Sequence, residues 1–137
     1  KNVFDEDLEA IVEEEIVHVP VTWGLVSMGM TVETGKPVKA TITLKKDKKK
    51  YTACASGDGP VDACYKAIEK ITKVKLKLID YAIQSVTWRK DALGEVTIKV
   101  SAQGREVSAR GASTDIIEAS VKAYLNALHK VVTRQHT

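Results

Sequence analysis

The chain has 137 residues with 21 Lys+Arg against 18 Asp+Glu, a net charge of +3. That length suits one domain that buries roughly two-thirds of its unfolded surface, and two cysteines are too few for a disulfide framework. No stretch approaches the ~20 apolar residues of a membrane span, and with an acidic N-terminus and no apolar run there no signal peptide is expected.

In chain order, residues 1–15 hold seven acids (Asp5, Glu6, Asp7, Glu9, Glu13, Glu14, Glu15) and one base, Lys1. Phe4, Leu8, Ile11 and Val12 form one apolar stripe there, which predicts a short helix over 4–14. With no initiator methionine before it, this start reads as an excised or processed piece. Residues 16–32, rich in Val and Thr, predict a strand. Thr34-Gly35-Lys36-Pro37 is a turn. Residues 38–45 alternate, with Val38, Ala40, Ile42 and Leu44 on one face. Lys46 to Lys49 form a polar hairpin tip, and 50–56 a third strand. Gly57-Asp58-Gly59-Pro60 opens a helix, since proline suits a first turn; its apolar face is Val61, Cys64, Tyr65, Ile68 and Ile71. Cys54 and Cys64 read as reduced, buried side chains in a cytoplasmic protein.

The pattern then repeats. At an offset of 56, Thr41-Ile42 meets Thr97-Ile98, Asp62-Ala63-Cys64 meets Glu118-Ala119-Ser120, Lys66-Ala67 meets Lys122-Ala123, and Thr31 meets Thr87, with no gap from about 21–72 against 77–128. This is an internal duplication. The second copy predicts strands near 75–88, 94–102 and 105–111 and a helix over about 114–132. Asp115 with Glu118 resembles a capping box, and Ile117, Val121, Tyr124, Leu125 and Leu128 are the buried stripe. The expected fold is α+β: two βββα units related by a pseudo-two-fold, each an antiparallel sheet with a helix on one face. The expected boundaries are a linker helix over 1–15 and one domain over 16–137, with repeats near 16–73 and 74–132.

Gly57-Asp58-Gly59-Pro60 and Gly111-Ala112-Ser113-Thr114 each precede a helix. Small residues there let an anion reach backbone N–H groups, although a plain strand-to-helix turn asks for the same residues. Lys45, Lys46, Lys48, Lys49 and Lys50 could grip phosphate, yet lysines at a hairpin tip ordinarily guard a sheet edge. His18, His129 and His136 have no metal-ligand spacing, and no nucleophile–base pair or phosphate-binding loop is legible. Asp80, Asp91 and Asp115 fit structural turns and caps. Trp23 and Trp88 fit packing roles in the two first strands.

Longer segments carry a family resemblance. Gly57-Asp58-Gly59-Pro60-Val61-Asp62-Ala63 with Lys66-Ala67-Ile68, Asp80-Tyr81, Asp91-Ala92-Leu93-Gly94-Glu95-Val96, and Ser113-Thr114-Asp115-Ile116-Ile117-Glu118-Ala119-Ser120 running through Lys122-Ala123-Tyr124-Leu125-Asn126-Ala127-Leu128 resemble the C-terminal regulatory domain of 2-isopropylmalate synthases. Phe4-Asp5-Glu6-Asp7-Leu8-Glu9 is similar to their linker helix. Trp88-Arg89 and His129 depart from the family, where small residues and Asn are usual. The resemblance implies an enzyme that condenses acetyl-CoA with 2-oxoisovalerate on a metal-dependent TIM barrel, regulated by a domain that dimerises and binds L-leucine near the dimer interface. The barrel and its metal ligands are missing from these residues, so no catalytic residue, metal site or cofactor is expected in this chain.

The resemblance also implies an effector site: an apolar wall of Val61, Cys64, Ile68, Leu76 and Leu78, and polar contacts from Ala112, Ser113 and Thr114. Gly57, Gly59 and Pro60 would form the open start of the first helix, with Asp80 near the effector's ammonium. The alternatives are an isoleucine-binding domain of citramalate synthases and, from another class, a double-stranded-RNA binder, whose helix–strands–helix order residues 4–72 mimic. Acids in the first helix and at the start of the second copy's helix argue against RNA. The expected partners are therefore L-leucine, a second copy of the chain and the catalytic barrel of the same polypeptide, with no nucleic acid and no membrane.

Overall fold

A computed structural model describes the backbone of residues 22–88 and 91–135 and the side chains of 22–84 and 93–132. The expected helix over 4–14, the strand start over 16–21, His18, His136, Arg89 and the side chains of Trp88 and Asp91 lie outside those limits.

Two three-stranded antiparallel sheets form, each followed by a helix. The first comprises β1 (Gly24–Thr31), β2 (Val38–Lys46) and β3 (Lys49–Gly57), followed by α1 (Pro60–Thr72). The second comprises β4 (Lys77–Trp88), β5 (Asp91–Ala102) and β6 (Arg105–Ser113), followed by α2 (Ile116–Gln135). Strand order follows the chain, so β1, β3, β4 and β6 are edges. Tight turns set the register of β2 with β3 and of β5 with β6. Lys46 pairs with Lys49 and Ala102 with Arg105, leaving two-residue loops at Asp47-Lys48 and Gln103-Gly104. Asp47, Gln103 and Gly104 all take positive φ.

Alternation decides which side chains enter the core. Ala40, Ile42, Leu44 and Ala55 face α1; Val96, Ile98, Val100, Val107 and Ala109 face α2, and all are buried in one cluster. Alanines at the helix–sheet contacts (Ala63, Ala67, Ala119, Ala123, Ala127) let the helices sit close, and none exposes any surface. The start of α2 is capped as its sequence suggests, by Asp115 Oδ1 accepting the Ile117 N–H at 2.9 Å. The two helices meet at Tyr65, whose hydroxyl donates to the Ser120 carbonyl at 2.8 Å and whose ring lies 4.2 Å from that of Tyr124.

Two expectations are corrected. Cys54 is exposed, not buried. It pairs with Thr41 on the outer face of the sheet, because Ala53, Ala55 and Gly57 take the inward positions of β3. Cys64 is fully buried, and burial first, then the Asp115 carboxylate, push its thiol up to about 11. In the native protein near pH 8 a thiol reagent should therefore modify Cys54 quickly and Cys64 at least ~100-fold more slowly, since two pH units separate it from an ordinary thiol. Two equally fast thiols would show that α1 is not seated as described.

The second correction concerns the repeat. Ile42 and Ile98 are 56 residues apart, but their cross-strand partners, Met28 and Tyr81, are 53 apart. The gapless offset holds from β2 to α1 and fails in the first strand, so Thr31 corresponds to Gln84 and not to Thr87. The second copy spends three more residues between these strands, extending β4 and β5, whereas the first turns through Gly35 at φ 80. With that offset, irregular pairing falls at one equivalent place in both copies, between Leu25 and Ser27 and between Leu78 and Asp80.

Candidate functional site

The bulge in β4 builds a largely apolar groove. Regular alternation would put Leu78 and Tyr81 on opposite faces. The extra residue lets Leu78 oppose Val100 and Tyr81 oppose Ile98 on the same side. Leu76, Leu78 and Tyr81 then form one wall of a groove of about 430 Å³. The opposite wall is α1, through Val61, Tyr65 and Glu69 at i, i+4, i+8, with Asp62 and Lys66 on its rim and Tyr124 of α2 closing the floor.

The floor is held by internal hydrogen bonds. Ser120 Oγ donates to the Ile116 carbonyl at 2.8 Å, so at the 2.6 Å contact between Ser120 and Tyr81 the phenol is the donor. Tyr65 is tied to the Ser120 carbonyl, and Tyr124 lies beside the Leu76 backbone. Burial raises the pKa of Tyr65 and of Tyr124, so both phenols stay neutral. On the rim, the Asp58 N–H holds the Asp62 carboxyl below its usual range, and Lys66 at 3.1 Å adds to this. A groove with apolar walls and a charged rim can desolvate an aliphatic side chain and leave the polar end of the same molecule near water.

Of the residues singled out from sequence, the fold brings Val61, Leu76 and Leu78 into this groove. Gly59 is the N-cap of α1, extended at φ −152 and without a capping side chain, and Pro60 is its first residue. They stand directly before Val61. The rest lie elsewhere. Cys64 and Ile68 are fully buried, one helical step from Tyr65 and Glu69, and belong to the core. Gly57 is pressed against α1, where a Cβ would lie 2.5 Å from the Ala63 nitrogen. Asp80 is exposed, with Oδ1 taken by the Tyr81 N–H at 2.9 Å. Ala112 opposes Glu95, Ser113 is buried and accepts the Asp115 N–H, and Thr114 is exposed. Tyr65, Glu69, Tyr81 and Tyr124 line the groove without having been singled out from sequence as candidates for a site. The one available signal was Val61, Tyr65 and Glu69 at every fourth position, which periodicity alone cannot separate from the core stripe beside it. Among the described residues no three His, Cys, Asp or Glu side chains come together as metal ligands would, and no helix is long and apolar enough to cross a membrane.

Residues 2–132 match the family model described as the LeuA allosteric (dimerisation) domain. The chain is 49% identical over 137 residues to the 2-isopropylmalate synthase of Carboxydothermus hydrogenoformans, covering 96% of this chain and 26% of that protein. It is 43% identical over 132 residues to that of Heliobacterium modesticaldum, with the same coverage. It is 47% identical over 131 residues to that of Pelotomaculum thermopropionicum, covering 95% and 26%. The chain thus spans about a quarter of the length of these relatives. Nothing among the comparisons supports the duplex-RNA alternative.

Proposed function

The chain belongs to the LeuA allosteric (dimerisation) domain family, and from that premise we propose that it binds L-leucine as a feedback inhibitor, in the groove between α1 and β4. The observation that carries this is the groove itself, with Val61, Leu76 and Leu78 converging beside the uncapped start of α1. The isobutyl group lies against those three side chains. The carboxylate turns toward the first-turn N–H groups of α1, which no side chain of this helix occupies. The start of α2 is less suited, because Asp115 already holds it.

In this reading the chain performs no chemistry. It regulates a 2-isopropylmalate synthase whose catalytic barrel, elsewhere in the same polypeptide, holds a divalent metal and joins acetyl-CoA to 2-oxoisovalerate. A second copy covers the open side of the groove. Leu78, Ile79 and Ile83 are 41–53% exposed along the edge strand β4, and an apolar edge of that kind is suited to a protein contact.

Calorimetry of the chain against leucine, isoleucine and valine tests this. Leucine should bind tightest, and valine, one methylene shorter, about 10–200-fold more weakly. Tighter binding of isoleucine would move the domain to the citramalate synthase type, and no heat with any of the three would remove the effector assignment.

A further inference from the structure

We propose that His129 is a titratable latch on the incoming chain: its neutral ring holds the backbone at Trp23 against α2, and protonation of Nε2 releases it. The contact joins positions 106 residues apart, the Trp23 N–H donating to His129 Nε2 at 2.9 Å. An imidazole nitrogen accepts such a bond only while it carries no proton.

Trp23 lies where the described chain enters the first sheet. It is the residue before β1 and is buried. Its ring stands edge-on to Tyr51 at 5.5 Å, under the Lys46 ammonium at 5.0 Å. The ring is thus clamped by its own sheet, while its backbone is held by the helix of the other unit. The repeat supplies a comparison. Leu76, the residue before β4, occupies the same place in the second copy, and its backbone lies beside Tyr124, also in α2. Both first strands therefore begin beside a side chain of one helix. The phenol keeps its proton throughout the neutral range, whereas the imidazole titrates next to it.

The charges around the joint favour the neutral ring. Lys46 lies over Trp23, and Lys130, next to His129 in α2, is turned to the Ser108 carbonyl. No carboxylate among the described residues pairs with His129. Burial holds its pKa below the ordinary 6.5 and outweighs the Trp23 backbone, which acts in the opposite direction and raises it. The unfolded chain then takes up its proton first as pH falls. The latch is fully formed above about 6.5 and is lost as pH drops through the folded-state value.

Amide hydrogen exchange of this chain, followed by NMR between about pH 7.5 and pH 5, tests the latch without any ligand. The protection factor of the Trp23 amide should fall at least tenfold on acidification, while those of Ile42 and Val96 in the central strands hold. His129→Gln carries an acceptor oxygen at the reach of Nε2 that does not titrate, and it should leave Trp23 protected at both pH values. His129→Ala should leave it unprotected at both. Wild-type protection that does not change with pH, or an equal fall in His129→Gln, overturns the proposal. The Gln comparison decides the matter even if the Ala variant does not fold. Because no leucine is present, the result is independent of the effector assignment.

Discussion

Gly111→Ala should lower the stability of the domain by about 2–3 kcal/mol, and Gly111→Val should prevent it from folding. A Cβ at this position in β6 would lie 2.4 Å from the Ala119 carbonyl oxygen and 2.5 Å from the Ala123 nitrogen. Both are backbone atoms of α2, so no side-chain rotation relieves the contact. The helix must lift, and with it go Val121, Tyr124, Leu125 and Leu128, all buried. Gly29→Ala is the matched control. It lies in β1 with nothing within 4 Å of the added carbon, and it should be neutral or slightly stabilising because it restricts the unfolded chain. Thermal unfolding of the three variants measures this; a melting temperature for Gly111→Ala within a degree of wild type would mean that α2 does not sit on β6 as described.

Leu78→Asp should cut leucine affinity by ~10–100-fold or more, with little effect on the fold. Leu78 forms part of the groove wall yet is 41% exposed, so its replacement leaves no internal cavity. The lost apolar contact is worth ~1.5–3 kcal/mol at most, and the new carboxylate puts a charge against the isobutyl group. Gly59→Asp isolates the other end of the ligand. Nothing stands within 4 Å of an added Cβ there, and aspartate is a favourable N-cap, so α1 should gain rather than lose stability. Its charge would occupy the N–H groups proposed for the leucine carboxylate, and binding should disappear. Calorimetry on folded protein separates the cases. Unchanged affinity in Leu78→Asp removes the groove assignment. Loss in Leu78→Asp but not in Gly59→Asp keeps the apolar site and moves the carboxylate away from α1.

Element types, the duplication and the placement of the second helix cap were legible because they rest on local chemistry. Period-two alternation in 38–45 marks a strand wherever it lies. Pro60 after a glycine marks a helix start, and Asp115 caps its own helix through the Ile117 N–H. The repeat survives as a pattern of apolar side chains, which a core of fixed shape demands twice.

The groove followed a different rule. From sequence, Leu76, Leu78 and Asp80 share one face of a strand and Val61, Cys64 and Ile68 one face of a helix. One extra residue near Ile79 reverses the phase of β4, bringing Tyr81 rather than Asp80 to the inner face. A helical step of about 100° separates Cys64, in the core, from Tyr65, in the groove. Periodicity gives the width of an apolar stripe but not which of its flanks meets the sheet and which meets the neighbouring unit. The sequence by itself therefore determined two βββα units, their caps and their apolar stripes. Only the tertiary structure decided that Val61, Tyr65, Leu76, Leu78 and Tyr81 converge, because a bulge and the contact between the two helices are set by packing across units distant in the chain.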